Sequence, residues 1–276
     1  MTGRPFRKMH GLGNDFVIVD ARLEPFRPSA AQAAAIADRR EGVGCDQLIV
    51  LEPDAAPADL FMRIFNADGS EAEACGNATR CVASLLFAEG REAVTIRTLG
   101  GLLPCTPAAD GQVTADLGPP RLDWREVPLA RAMDTGRLDY AKGPLADPVA
   151  LSLGNPHVVF FVEDPEGIDL AALGPAIEHD PLFPRRTNVQ LVQVVSTTHL
   201  RQRIWERGVG LTRASGSGGC AAQVAAVRRG LTERRARVEQ PGGDLLVEWR
   251  EADGHVLMTG PVATAFCGSL DRSLLG

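Results

Sequence analysis

No run of about 18 apolar residues occurs anywhere in the 276-residue chain, so no helix in it is expected to cross a membrane. The basic N-terminal stretch from Met1 to Asp15 has no apolar segment behind it, which argues against a secretory signal and makes the cytoplasm the expected location. Excess positive charge is missing too: 29 basic residues against 35 acidic ones give a net charge of −6, whereas general nucleic-acid binding needs a basic face. Lysine is nearly absent, with only Lys8 and Lys142, a bias that follows from codon composition and carries no functional weight. Among the six cysteines (Cys45, Cys75, Cys81, Cys105, Cys220 and Cys267) no Cys-x-x-Cys pair exists, so a zinc site of the common spacing is not expected. Disulfides are not expected in a cytosolic chain of this size, and most of these thiols should be inert core residues. What the chain does have is 45% hydrophobic residues, enough for one large domain or two ordinary ones and too many for a disordered chain.

Short β-branched or alternating runs bounded by Gly, Pro, Asn or Asp read as strands at residues 16–20, 47–51, 60–65, 93–98, 113–117, 158–162, 189–195, 200–205, 237–240, 244–249 and 255–260. Helical periodicity is clearest over residues 30–39, 78–89, 170–179 and 219–231. Strands outnumber helices and do not alternate with them, so the fold class is α+β with mostly antiparallel sheets. The Pro-rich, weakly periodic stretch between Leu117 and Gly154 carries the best linker signals. Two short strings recur in the same order. Gly13-Asn14-Asp15-Phe16 resembles Gly154-Asn155-Pro156-His157, and Ala74-Cys75-Gly76-Asn77 resembles Ala214-Ser215-Gly216-Ser217. Their offsets, near half the chain length, point to duplicated halves and hence to two similar lobes that share a site.

Cys75 closes a turn that follows a strand and opens a periodic helix. A thiol at a helix N-terminus is stabilised as thiolate by the macrodipole and the unpaired N–H groups, and becomes a competent base. Gly76 lets a ligand approach the backbone there. The Gly-rich turn from Glu206 to Gly219 makes the same strand-to-helix connection and suits a carboxylate. It is neither a Walker A loop nor a dinucleotide fingerprint, since it lacks Gly-Lys-Ser/Thr and the G-x-G-x-x-G spacing. Two helix N-termini directed at one carboxylate would acidify the neighbouring Cα–H, which suits proton abstraction beside a carboxyl group without a cofactor.

Longer motifs carry a resemblance that runs nearly end to end. They are Lys8-Met9-His10-Gly11-Leu12-Gly13-Asn14-Asp15-Phe16, Gly44-Cys45-Asp46-Gln47, Phe65-Asn66-Ala67-Asp68-Gly69-Ser70, Cys75-Gly76-Asn77-Ala78-Thr79-Arg80-Cys81, Gly154-Asn155-Pro156-His157, Thr187-Asn188-Val189 and Glu206-Arg207-Gly208-Val209-Gly210. The chain resembles the diaminopimelate epimerase family, whose members work without pyridoxal phosphate in lysine and peptidoglycan precursor synthesis. The resemblance implies two similar lobes, residues 1–118 plus 264–276 and residues 119–263, each a curved sheet wrapped on a central helix. It also implies a site in a cleft that closes on substrate, no metal or nucleotide, and a homodimer with Phe266 as a candidate contact. In the family two cysteines face opposite sides of the substrate α-carbon. Cys75 matches the first. Gly76, Asn77, Gly216 and Ser217 match the groups that hold the reacting carboxylate. Asn66, Asn155, Asn188 and Arg207 match those that hold the distal amino-acid end, where Arg gives a bidentate grip. Asn14 and Gln47 match further pocket residues, and Glu206 and His157 match residues near the reacting centre. Taken singly, these Asn residues are ordinary turn residues and His157 an ordinary strand-end histidine.

One position departs. Where the family carries its second catalytic cysteine this chain has Ser215, and a hydroxyl is too weak an acid to be a matched partner for a thiol. Cys220, five residues on, is expected to face elsewhere. Two-base epimerisation is therefore expected to be impaired. Three readings stand: an introduced Cys→Ser change, a one-base dehydratase of the proline racemase-like type, and a non-catalytic amino-acid-binding homologue. Leu211, where many members carry an acidic residue, reads as tolerated variation. Cys45 has no role.

Overall fold

The computed structural model describes residues 3–275; Met1, Thr2 and Gly276 lie outside the described residues. The chain divides into two compact units, Met1–Ala115 with Gly260–Gly276, and Asp116–Thr259. Among the described residues no helix is long and apolar enough to cross a membrane.

The first unit runs β1 (Arg4–Gly11), β2 (Asn14–Asp20), α1 (Ala30–Ala37), β3 (Gln47–Glu52), β4 (Leu60–Asn66), β5 (Glu71–Ala72), α2 (Gly76–Ala88), β6 (Val94–Thr98), β7 (Gly101–Pro107) and β8 (Val113–Asp116). The second runs β9 (Ala141–Lys142), β10 (Leu145–Ala146), β11 (Val149–Ser152), β12 (Pro156–Phe161), α3 (Leu170–Glu178), β13 (Asn188–Ser196), β14 (His199–Glu206), β15 (Gly210–Thr212), α4 (Gly216–Arg228), β16 (Arg235–Gln240), β17 (Gly243–Trp249) and β18 (Val256–Gly260). The chain then returns to the first unit as β19 (Ala263–Leu270), which pairs antiparallel with β1.

Both units follow one pairing scheme. In the first, β1 is antiparallel to β2, β2 parallel to β3, β3 antiparallel to β4, and β4 antiparallel to β5 but parallel to β6. In the second, β11 through β16 repeat those relations in the same order. The hairpins β6–β7 and β16–β17 close each scheme. Helices α2 and α4 have 13 residues each and begin 140 positions apart.

Each of these two helices is buried on most faces, α4 because its residues are small and α2 although it carries Arg80. In α4 the buried set is Gly216, Gly218, Gly219, Cys220, Ala221, Ala222, Gln223, Val224, Ala225 and Ala226, and strands β11 to β14, β16 and β17 pack around it. A helix apolar all round is a core helix rather than a surface one. Glycine at 218 allows close packing on β14: a Cβ there would lie 2.4 Å from Ile204 Cδ1, which would have to move. In the first unit α1 starts with a capping box, Ser29 accepting from the Gln32 N–H and Gln32 accepting from the Ser29 N–H.

The expected strands and all four expected helices are present, with shifted ends. Helices α2 and α4 start at Gly76 and Gly216, two and three residues earlier than periodicity suggests, because Gly, Asn and Ser carry no apolar signal. Strands β1, β7, β11 and β19 and the short strands β5, β9, β10 and β15 are not among the expected runs. In β1 basic residues interrupt the apolar face, and β19 is exposed over Thr264–Ser269 and so shows no buried alternation at all. The Pro-rich stretch is packed rather than free: Val127, Leu129, Leu138 and Leu145 join Val158, Phe160 and Leu191 in the second unit's core.

Candidate active site

In the first unit, the turn after β5 delivers Cys75 to the N-cap of α2 in an extended conformation (φ −149°, ψ 107°), half-buried, with no cap bond from its side chain. The N–H groups of the first helical turn, Gly76 and Asn77 among them, have no carbonyl partner within a helix. The thiol donates to Asn14 Oδ1 at 3.7 Å, and Asn77 Nδ2 donates to the same oxygen at 3.2 Å. Asn14 Nδ2 donates to Asp46 Oδ2 at 2.8 Å. Gln47 and Asn66 face each other across β3 and β4, and Gln47 Nε2 donates to Asn66 Oδ1 at 3.0 Å. Gln47 Oε1 is buried and has no hydrogen-bond partner among the described residues.

In the second unit, Ser215 takes the same extended N-cap conformation on α4 (φ −136°, ψ 122°). Here the side chain does cap: Ser215 Oγ accepts from the Gly218 N–H at 3.2 Å, and its own hydroxyl donates to Glu206 Oε2 at 2.9 Å. Glu206 Oε1 accepts from the Thr212 hydroxyl at 2.6 Å, and Gln240 Oε1 accepts from the Ser215 N–H at 2.7 Å. Asn155 Nδ2 donates to Ser217 Oγ at 3.1 Å. His157 is fully buried. Gln190 Nε2 donates to its Nδ1 at 2.5 Å, so Nε2 carries the proton and donates to Asn155 Oδ1 at 2.9 Å. Burial, aided by the nearby Arg207 cation, pushes the His157 pKa down to about 3, so the ring is neutral. Asn188 bridges backbone on both sides, donating to Pro156 O at 2.8 Å and accepting from the Arg207 N–H at 2.9 Å. Glu178, also buried, accepts from Trp205 Nε1 at 2.7 Å and from the Gly208 N–H at 2.9 Å, which shapes the turn that carries Arg207.

The duplication thus reaches the side chains. At an offset of 140 or 141, Asn14 corresponds to Asn155, Phe16 to His157, Gln47 to Asn188, Asn66 to Glu206, Cys75 to Ser215, Gly76 to Gly216 and Asn77 to Ser217. The pattern differs at Phe16/His157 and Asn66/Glu206, where only the second unit has a titratable group. Gln190, Gln240, Thr212, Glu178 and Asp46 were not singled out in the sequence. Gln190 had a visible signal, an amide set between Val189 and Leu191 in the apolar run of β13. Cys220 is buried in the second unit's core, and burial pushes the Cys45 thiol up to about 11, which keeps it protonated. Among the described residues no three His, Cys, Asp or Glu side chains gather as metal ligands would.

The fold is that of PhzF-type and proline-racemase-type proteins. A PhzF-family phenazine biosynthesis protein from Enterococcus faecalis superposes with a TM-score of 0.69 at 17% identity, over 98% of this chain and 99% of that one. A hydroxyproline epimerase from Agrobacterium vitis gives 0.69 at 14% identity, over 98% and 94%. Sequence narrows this class. The diaminopimelate epimerase family model matches residues 6–122 and 149–265. The diaminopimelate epimerases of Rhodospirillum centenum and Phenylobacterium zucineum are 60% and 55% identical, over 99% and 97% of this chain and 94% and 98% of their own length. The chain belongs to the diaminopimelate epimerase family, isomerases that act on amino acids.

Proposed function

We propose that this chain interconverts LL- and meso-diaminopimelate by moving a proton at the α-carbon, with Cys75 as the working base and Ser215 as a weak partner. The observation that carries this reading is the correspondence of Cys75 and Ser215, each the N-cap residue of the buried helix of its unit. The N–H groups of Gly76 and Asn77 in the first unit, and those of Gly216 and Ser217 in the second, are oriented donors suited to charge that develops on an α-carboxylate in the transition state. Asn66, Asn155, Asn188 and Arg207 hold the distal end, with Arg207 gripping its carboxylate and Gln47 Oε1 offering an acceptor to an ammonium group. His157, neutral and held by Gln190, orients Asn155 rather than moving a proton itself. Glu206 accepts a hydrogen bond from the Ser215 hydroxyl and is, among the described residues, the only carboxylate bonded to it, so proton delivery at that face runs through this pair. A hydroxyl does this poorly at neutral pH, which places the impairment at one face. The enzyme works in the cytoplasm as a homodimer, with the half-exposed Phe266 of β19 as a contact.

The test is Cα hydrogen exchange and LL/meso interconversion in D2O, followed by NMR for this chain and for Ser215→Cys. The cysteine form is expected to interconvert the isomers about 10² to 10⁴ times faster, the usual range for a matched acid–base group. If neither form exchanges deuterium into diaminopimelate, the substrate assignment fails and a dehydratase or binding-only role takes its place.

A further inference from the structure

A continuous line of hydrogen bonds passes the Cys75 thiol within the first unit. Arg80 Nη2 donates to Asn77 Oδ1 at 2.9 Å. Asn77 Nδ2 donates to Asn14 Oδ1 at 3.2 Å, and Asn14 Nδ2 donates to Asp46 Oδ2 at 2.8 Å. The line starts at a cation and ends at an anion, so neither amide can be reversed without setting donor against donor or acceptor against acceptor. Both ends are themselves fixed. Arg80 is fully buried in α2. Asp46 accepts from Arg39 at 2.7 Å and from the Asp15 N–H at 3.1 Å, and Asp15 in turn is paired with Lys8 and Arg39.

We infer that Asp46 and Arg80 are positioning residues that lock the Asn14 amide with its oxygen toward Cys75, so that the resting thiol keeps its proton. The helix N-terminus favours the thiolate at Cys75. An amide oxygen that accepts from Sγ–H favours the thiol. The locked amide therefore holds back ionisation until something displaces or outbids the Asn14 contact. This deepens the reading of Cys75 as the proton carrier, but it concerns only the thiol and stands or falls without turnover. The charged and titratable groups around the line are Lys8 and Asp15 on β1 and β2, Arg39, Cys45 and Asp46 between α1 and β3, and Arg80 and Cys81 on α2.

In Asp46→Ala the Asn14 amide can turn. It then gives up the neutral bond from Asn77, whose Nδ2 must move away from the incoming donor, and gains a charge-assisted bond to a thiolate, which is about twice as strong. The experiment is the rate of Cys75 alkylation by iodoacetamide against pH, read peptide by peptide by mass spectrometry. The midpoint is expected to move to lower pH, giving about threefold to tenfold faster labelling on the acid flank, with the high-pH plateau little changed. Simple loosening would raise the plateau, leave the midpoint in place and open Cys45 and Cys81 to the reagent. An unmoved midpoint overturns the inference. If Asp46→Ala does open Cys45 and Cys81, the isosteric Asp46→Asn decides: it keeps the shape, can offer Asn14 either amide atom, and is expected to give a smaller shift in the same direction, no shift being the refuting result. Diaminopimelate exchange by the unsubstituted chain reports separately on the functional reading.

Discussion

Acidification should reveal the buried histidine of the second unit as a pH-dependent loss of stability. His157 titrates near 6.5 in an unfolded chain and at about 3 here, because burial and Arg207 both disfavour the imidazolium. Between those values the unfolded state binds the extra proton, so stability rises with pH. The contribution is fully present above about pH 6.5 and is lost as pH falls toward 3. At pH 5 the unfolded ring is almost fully protonated and the folded ring is not, a difference of about 1.5 pK units, or about 2 kcal/mol. That figure barely depends on how far below 5 the folded value lies. The comparison is His157→Phe, which places here the residue that the first unit carries as Phe16. The variant leaves Gln190 Nε2 and Asn155 Oδ1 without the ring, a pH-independent cost of about 1–3 kcal/mol for each group. It has no imidazole to protonate. Trp124, Trp205 and Trp249, the chain's 3 tryptophans, all lie in the second unit, so their fluorescence in a urea titration reads that unit. The parent should lose about 2 kcal/mol more than His157→Phe between pH 7.5 and pH 5. The remaining histidines are common to both proteins and cancel. Equal losses would mean that His157 is hydrated or charged in the folded state, and the neutral ring assigned to it would be wrong.

Gly218→Ala should lower the melting temperature by the equivalent of about 1–3 kcal/mol, although alanine is the better helix former, because its Cβ would lie 2.4 Å from Ile204 Cδ1 and 3.1 Å from Ser215 Oγ. A rise in melting temperature would show that β14 yields to the methyl group without strain. Iodoacetamide at pH 8 should label the exposed Cys267 and spare Cys45 and Cys81, whose thiols burial pushes up to about 11 and about 12. Labelling of Cys45 at a rate near that of Cys267 would contradict the packing around it.

Strand, helix and turn patterns were enough to give an α+β chain with four helices, since α1 to α4 each carry apolar periodicity and Gly, Pro or Asx punctuation at their ends. The duplication was legible from two short strings, because the turns that need glycine beside a reacting group tolerate few alternatives. Pairing was another matter. Little in β19 shows that it lies along β1, since Thr264–Ser269 are exposed and the side-chain contacts that accompany the backbone pairing, Phe266 on Phe6 and Leu270 in the core, carry no alternation. The parallel pairs β4–β6 and β14–β16 join segments separated by an entire helix, and local sequence carries no term for so distant a contact.

Family membership and the residues to watch were therefore set by sequence alone, through long motifs and one conspicuous serine. Tertiary structure decided what those residues do to one another. It made Ser215 a helix cap bonded to Glu206, buried His157 as a neutral ring in hydrogen-bond contact with Asn155, and ran a charged line from Arg80 to Asp46 past the Cys75 thiol. The reason is physical. A motif states which donors and acceptors are available, but the direction of an amide or the tautomer of an imidazole is chosen by the partner at its far side, and those partners come from strands and helices distant in sequence.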